Sequence, residues 1–267
     1  MKPFRIIIRG GGDLGSGVAY RLFQCGWQIL ITEIPQPLVL RRSVAFANAV
    51  YEKECTVEGV QAQLCLTSNE IKAINNNKKI AVLVDPENDI LKREKFDVCV
   101  DARMLKTYQP NILSSNCLMI GLGPGFIAGE NCHSVIETKR GHFLGRVIRT
   151  GSPQPDTGIP GNVENFTNER VLRSPTRGTI LSEAKLGDVF KQGETIAKIG
   201  GEELLAPFDG CLRGLMHNDI FVEQCEKVGD LDPRLEPSLI HFISEKALAI
   251  AGGVLEAILS YYHEQKT

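Results

Sequence analysis

The chain has 267 residues, 43% hydrophobic and 23% charged, ordinary globular usage that suits one large domain or two smaller ones. With 30 Lys and Arg against 32 Asp and Glu the formal net charge is -2, so neither nucleic acid nor an anionic membrane surface is the expected partner. No apolar run has the length of a membrane span, and Met1-Lys2-Pro3-Phe4 enters a strand pattern with no room for a signal peptide, so a cytoplasmic address is expected.

Phe4 to Arg9 (FRIIIR) is a short β-branched run, the pattern of a central strand buried on both faces. A glycine turn follows, then a helix from about Gly15 to Cys25. In it Val18/Leu22 and Ala19/Phe23 recur at i, i+4, and Gly26 is the stop. Trp27 to Thr32 is the second buried strand. Past Pro35 and Pro37, residues 38–53 predict a helix with Arg41-Arg42 near its start. Val60, Ala62, Leu64 and Leu66 alternate with polar neighbours as in a half-buried strand. Thr67-Ser68-Asn69-Glu70 matches a capping box that opens a short helix. Further strands are expected at Ile80–Asp85, Val98–Asp101 and Leu118–Gly121. Strands alternating with helices predict a parallel, doubly wound sheet, here a Rossmann-like nucleotide- or cofactor-binding domain over residues 1–125.

The next stretch is rich in glycine and proline up to Gly161. It reads as a connecting region over 126–168 with a hairpin through His133–Thr138 and His142–Arg149. An internal repeat follows within 169–235. Ser174-Pro175-Thr176-Arg177-Gly178 is echoed by Ala206-Pro207-Phe208-Asp209-Gly210, and at the same offset Gln192 and Glu194 match Gln224 and Glu226. Two short β-rich halves cannot each bury a core, so they are expected to close on one another. The final segment, 236–267, carries a helix from about Leu239 to Tyr262 that is apolar enough to dock.

The strongest site signal is Gly10-Gly11-Gly12-Asp13-Leu14-Gly15, a G-x-G-x-x-G pattern that follows a strand and opens a helix. Gly10 permits the tight turn, Gly12 lets backbone approach ligand phosphates, and Gly15 allows close helix–strand packing. The helix N-terminus offers unpaired N–H groups to an anion, whereas Asp13 would repel a phosphate unless its side chain turns away. Glu33, at the end of the second strand, is placed to accept hydrogen bonds from a ribose diol. Asp85 and Asp101 fall at the carboxyl ends of strands, with Arg103 close behind; they read equally as ligand groups or as solvated turn residues. Gly121–Phe126, with Gly123 and Gly125, is a second glycine turn able to aim amides at an anion. Glu137–His142 gathers charge around Arg140 and His142, as a polar ligand site or an exposed loop would. Cys132-His133 are strand neighbours pointing to opposite faces, which argues against a thiolate pair. The eight cysteines form no C-x-x-C pair, so no metal site is expected and reduced core thiols are.

Part of the repeat resembles the biotinyl/lipoyl half-barrel module. Gly187–Gly193 (GDVFKQG) is similar to its G-D-x-V-x-x-G turn and Ala206–Gly210 to its A-P-x-D-G element, but Lys198–Glu203 (KIGGEE) lacks the M-K-M carrier tripeptide. The resemblance implies a structural barrel-sandwich module with no biotin or lipoyl group on Lys198. The expected fold class is therefore α/β, a Rossmann-like parallel sheet followed by a barrel-sandwich module and a C-terminal helix.

Along its whole length the chain resembles the YqeB family of selenium-dependent molybdenum hydroxylase accessory proteins. The resemblance rests on Arg9–Gly17, Thr32-Glu33, Arg41-Arg42 through Ala49-Val50, Val100–Arg103, Gly121–Phe126, Glu137–Arg146, Thr157–Gly161 and Gly229–Arg234. It implies a role in maturing molybdenum hydroxylases, with the hydroxylase and its maturation machinery as partners. The glycine loop suits a small phosphate-bearing ligand, the molybdenum cofactor or a dinucleotide such as NAD(P) or FAD. The resemblance brings no assigned catalytic residue and leaves open whether a reaction is catalysed. Two alternatives remain at this point. One is an NAD(P)- or FAD-dependent oxidoreductase, which would need His133, His142 or an aspartate as proton relay. The other is a non-catalytic metabolite-binding or assembly module.

Overall fold

Ile6, Ile7 and Ile8 have no exposed surface, so the first strand needs cover on both faces and lies in the middle of a sheet. The structure, a computed structural model, describes residues 3–110, 117–156, 164 and 166–265. It divides into two compact units, each drawn from separate stretches of the chain.

The first unit takes in Met1–Pro37, Ala45–Thr157 and Ile243–Thr267. Its elements run β1 (Arg5–Arg9), α1 (Asp13–Gln24), β2 (Gln28–Glu33), α2 (Ala49–Glu52), β3 (Glu54–Val57), β4 (Val60–Cys65), α3 (Ser68–Asn76) and β5 (Ile80–Val84). Then come β6 (Val98–Asp101), β7 (Leu118–Leu122), β8 (Ser134–Ile136), β9 (Val147–Ile148) and, much later in the chain, α4 (Glu245–Glu264). The strands form one nine-stranded sheet in the order β3-β4-β5-β2-β1-β6-β7-β8-β9.

This corrects the expected architecture. The central strands from β4 to β8 are parallel, but β3 pairs antiparallel with β4 and β9 antiparallel with β8, so the sheet is mixed and runs past residue 125 to Ile148. The reason for β3 is local. Glu58 and Gly59 both take positive φ (44° and 81°), the signature of a two-residue turn that matches strand twist, and it folds the chain straight back. The hairpin expected from His133 to Arg149 supplies the other antiparallel edge.

Residues 38–53 do not form the expected helix. Two short 3-10 turns, Arg42–Val44 and Phe46–Asn48, precede the single turn of α2, which stops at Lys53 with φ of 71°. Within the first unit the backbone here is held by the glycine turn instead. Ala47 donates its N–H to the Gly11 carbonyl at 3.0 Å, and Phe46 donates to Ser16 Oγ at 2.8 Å.

One sheet face is sealed by Ile71 and Ile74 of α3 with Phe96 and Phe126, packed around Ile7, Leu30, Ala81 and Cys99. The other is covered by α1 and α4. These two helices run side by side and in the same direction: Gly17 meets Ala247 near their starts, and near the end of α4 Tyr262 stacks on Phe4 with ring centroids 4.6 Å apart. The C-terminal helix therefore completes the first unit and is not an appendage after the β-rich module.

The second unit comprises Leu38–Val44 and Gly158–Phe242. Its strands are β10 (Val171–Arg173), β11 (Gly178–Leu181), β12 (Val189–Phe190), β13 (Thr195–Ile199), β14 (Glu202–Leu205), β15 (Gly210–Leu215), β16 (Phe221–Val222) and β17 (Lys227–Asp232). They make two four-stranded antiparallel sheets, β10-β17-β15-β12 and β14-β13-β11-β16. Each repeat half lends a strand to the other: β12 joins β15, and β16 joins β11. Lys198 lies within β13, paired with Leu181 and Glu203, while Gly200 and Gly201 form the hairpin tip. The expected succession of a Rossmann-like parallel sheet, a barrel-sandwich module and a trailing helix is thus replaced by a mixed sheet closed by α4 and a separate unit of two antiparallel sheets. Among the described residues no helix is long and apolar enough to cross a membrane.

The packing of α4 gives a paired prediction. A Cβ at Gly253 would sit 2.1 Å from the Gly145 carbonyl oxygen, whereas one at Gly252 meets nothing within 4 Å. Gly253→Ala should lower unfolding free energy by about 1–3 kcal/mol through overpacking. Gly252→Ala should be neutral or stabilising by up to about 1 kcal/mol. Urea unfolding of both variants checks this, and equal midpoints would refute the packing described.

Candidate functional site

Parallel strands deliver their carboxyl ends to one edge of the sheet, and the site residues expected from the sequence lie in the turns at that edge. The connections diverge at β1, with β2 on one side and β6 on the other. In open α/β sheets this divergence leaves a crevice suited to ligands. Here it is lined by Arg9, Gly10, Thr32, Glu33, Ile34, Asp85, Pro86 and Arg103.

The glycine turn is built by close approach. Gly10 has φ of 93° and donates its N–H to the Thr32 carbonyl at 2.9 Å. A Cβ on Gly15 would lie 2.0 Å from the Gly10 carbonyl oxygen, so only glycine lets α1 start this close to β1. Gly11 donates its N–H to Glu33 Oε1 at 2.6 Å, and its carbonyl accepts from Ser16 Oγ at 2.8 Å. Gly12 is the N-cap of α1, extended at φ -68° and ψ -170°, and no side chain closes the cap. The next turn, with Asp13 and Leu14, presents the amides that a helix cannot satisfy internally. Asp13 suits the positive helix end but opposes an anionic ligand there.

Glu33 is half-buried. Its second oxygen accepts the Ile34 N–H at 3.0 Å. Burial raises its pKa above the ordinary 4.5, with the amides of Gly11 and Ile34 opposing. Asp101 is buried between two guanidinium groups. Arg9 Nη1 lies 3.3 Å from Oδ2, and Arg103 reaches it through Nε at 2.9 Å and Nη2 at 2.6 Å. That pairing raises the Arg103 pKa further, and 37% of the Arg103 side chain remains exposed toward solvent. Asp85 turns to local work, accepting the N–H groups of Asp89 and Ile90 at 2.9 Å each.

The other expected residues are used differently. The Gly125 amide donates to the Leu105 carbonyl at 2.8 Å and the Gly123 amide points to the Ile136 carbonyl at 3.5 Å, so this second glycine turn spends its amides on packing. Arg140 pairs with Glu245 in the first turn of α4. His142 is exposed, and its carbonyl accepts from Arg146 Nε at 3.3 Å. Thr157–Gly161 lies outside the described residues.

Cys132 and His133 sit at the opposite, amino end of β8. His133 Nδ1 accepts the Met119 N–H at 2.9 Å, and burial lowers its pKa. Burial pushes the Cys132 thiol up to about 12, which favours the protonated thiol over a thiolate. All eight cysteines are free, and among the described residues no group of three or more His, Cys, Asp or Glu could hold a metal ion.

Lys246, which the sequence did not single out, is a half-buried charge. It lies in the first turn of α4, which packs against α1 beyond the glycine turn. Burial and the Arg140 charge lower its pKa, while Asp13, Asp156 and Glu137 act the other way. The only local hints are the small residues Gly17 and Ala247, which let the helices touch.

No family model matches the chain. Over 259 residues it is 44% identical to the uncharacterized protein YqeB of Escherichia coli K12, a match covering 97% of this chain and 48% of that protein. This supports the YqeB family. The chain spans about half the length of that relative, whose name states no activity.

Among solved structures, an aspartoacylase family protein from Mesorhizobium loti is 12% identical with a TM-score of 0.26, covering 86% of this chain and 85% of that one. A succinylglutamate desuccinylase/aspartoacylase from Rhodobacter sphaeroides is 10% identical with a TM-score of 0.24, at 86% and 85% coverage. A succinylglutamate desuccinylase from Silicibacter sp. TM1040 is 14% identical with a TM-score of 0.25, at 86% and 84% coverage. At such TM-scores these likenesses carry no argument about fold or activity.

Glu33 gives a pH prediction. Its folded pKa lies above 4.5, so its contribution to stability is full below that pH and is lost as pH rises through the raised value. Glu33→Gln has no such term. The stability of wild type relative to Glu33→Gln should therefore fall as pH rises from below 4.5 toward neutrality. Urea unfolding across that range tests it, and a pH-independent difference would contradict it.

Proposed function

We propose that the first unit binds a nucleotide or another pyrophosphate-bearing ligand, of the class that includes the dinucleotide form of the molybdenum cofactor, and that the protein supports maturation of selenium-dependent molybdenum hydroxylases. One observation carries the binding half: the glycine turn opens α1 with an N-terminus that no side chain caps, and Gly10 of the same turn lines a crevice with Glu33 and Arg103. The helix amides suit a phosphate. Arg103, aligned by Asp101 and partly exposed, adds a fixed positive charge. A carboxylate has about four acceptor sites, so Glu33 keeps capacity for ribose hydroxyls beside its bonds to Gly11 and Ile34.

The resemblance to the YqeB accessory family supports the maturation half, with a molybdenum hydroxylase and its maturation machinery as partners. Holding a labile cofactor while another protein modifies or receives it is a binding task, so it asks for no nucleophile. An oxidoreductase would need a proton relay beside the glycine turn; His133 stands at the other edge of the sheet, His142 is exposed, and Asp101 is held between Arg9 and Arg103.

Two measurements test the reading. The extended backbone of Gly12 is open to any residue, so Gly12→Val should keep the fold. Its side chain would fill the phosphate position and abolish calorimetric binding of NAD, FAD and cytidine dinucleotides. Glu33→Ala should bind such a ligand more weakly by about 1.5–3 kcal/mol, the range for a charge-assisted hydrogen bond. In cells lacking the protein, the hydroxylase polypeptide should accumulate inactive and deficient in labile selenium, while unrelated molybdoenzymes keep their activity. Fully active, selenium-replete hydroxylase from such cells would overturn the maturation role, and unchanged binding by a folded Gly12→Val protein would overturn the ligand site.

A further inference from the structure

A group of charged side chains in the second unit is left unused by the proposed function. Asp232, buried at the end of β17, accepts from Arg234 three times: from Nε at 2.9 Å, from Nη2 at 2.6 Å and from the backbone N–H at 3.1 Å. Arg213 approaches the same carboxylate, its Nη1 lying 3.4 Å from Oδ2, and is 3.7 Å from Asp230. Arg170 contacts Asp230 at 3.3 Å.

The sheet explains the convergence. Arg170 immediately precedes β10, Asp230 and Asp232 are on the neighbouring β17, and Arg213 lies on β15 where the pairing with β17 is irregular between Leu212 and Gly214. Such an irregularity re-aims a side chain.

The same local construction occurs in the first unit. Arg9–Asp101–Arg103 has contacts of 3.3, 2.9 and 2.6 Å, matching Arg213–Asp232–Arg234 to within about a tenth of an ångström. In both, the aspartate is buried, one arginine is mostly covered and the other keeps 37% of its side chain exposed. One carboxylate between two guanidinium groups leaves a positive charge in excess.

In the second unit the shortage of negative charge is sharper. Arg213 Nε is buried and has no hydrogen-bond partner among the described residues. Burial, first, and then the charge of Arg41 lower the Arg213 pKa; Asp230 and Asp232 oppose this, and Arg170 adds to the lowering. A mostly buried cation that its own carboxylates leave incompletely stabilised is costly until an anion joins it. Arg234 spends Nε and Nη2 on Asp232, which fixes the plane of its partly exposed guanidinium to meet an anion such as phosphate.

We propose that Arg213, Asp232 and Arg234 form a second anion site, within the second unit, that binds an oxyanion of the phosphate class. Asp232 positions both guanidinium groups, Arg234 meets the ligand from solvent, and Arg213 supplies the covered charge. The proposal stands apart from the glycine-turn ligand.

The test uses the full chain carrying Gly12→Val, which removes the first-unit site from the measurement. Titration with inorganic phosphate by calorimetry should show binding, and the second-unit site is the part of it that depends on Arg234. Adding Arg234→Gln should weaken it about tenfold or more, the effect of losing a charge-assisted hydrogen bond. Arg234 is partly exposed, so this variant should keep the circular dichroism of the parent. Arg213→Gln should act likewise, and its misfolding would leave Arg234→Gln to decide. Glycerol 3-phosphate, titrated in parallel, separates the two sources of the group. Tighter binding than inorganic phosphate assigns the site to a phosphorylated metabolite, and equal or weaker binding assigns it to free phosphate. No phosphate binding by the Gly12→Val protein, or equal affinity with and without Arg234→Gln, would overturn the proposal.

Discussion

The backbone of Gly11 ties together four parts of the first unit. Its N–H holds the Glu33 carboxylate at the end of β2, and its carbonyl receives the Ser16 hydroxyl of α1 and the Ala47 amide. A side chain at this position would press on Ile31 Cγ2 at 2.9 Å and the Ala47 nitrogen at 3.0 Å, so the junction exists only because no Cβ is there. Strand β1, strand β2, the start of α1 and the segment after Val44 take their relative places from these bonds. The crevice beside Gly10 follows from them, since moving any one element would move Glu33 or the N-terminus of α1.

A second set of close approaches governs the far side of the same sheet half. Gly17 admits Ala247, and Gly253 admits the Gly145 carbonyl, so α4 lies close to α1 and to the loop that precedes β9. Ile250, Val254 and Ile258 have no exposed surface there. Arg140, which the sequence presents as a ligand group, is instead drawn to Glu245 at the start of this helix. The loop after β8 and the start of α4 are thereby held to each other by charge as well as by packing.

Where local sequence carries its own physics, the structure was legible from it. The run Ile6–Ile8 could only be a doubly covered strand, the glycine spacing after it could only suit a turn into a helix, and Thr67 with Glu70 announced a cap that forms, the Glu70 N–H donating to Thr67 Oγ1 at 3.3 Å. The repeat was legible too, because matched turns recur at a fixed offset. What failed depended on distant partners. The segment 38–53 has helical composition, yet its amides are claimed by Gly11 and Ser16, and the 3-10 turns result. Glu58-Gly59 makes a hairpin whose first strand, the four residues of β3, is too short to show alternation. The apolar stripe of α4 says that it docks, but nothing in it names α1 as the surface. In the site, Gly123 and Gly125 have the composition of an anion cradle, and only the carbonyls opposite them decide otherwise. The surroundings of Lys246 could not be read locally, because the charges that act on it, Arg140, Asp13, Asp156 and Glu137, are all far from it in sequence.

The placement of α4 sets the order in which the first unit can be assembled. Its partners on α1 and β8 are made long before it, and every residue of the second unit beyond β9 is made in between. Until α4 arrives, the isoleucines on that face of the sheet have no complete cover, and the unit exists as an open half-layer with exposed apolar surface. Closing so long a loop costs entropy before any contact repays it, which places the first unit among slow-folding, non-local topologies. During synthesis the second unit, built almost entirely from one continuous stretch, is complete before α4 is made, whereas the first unit is not.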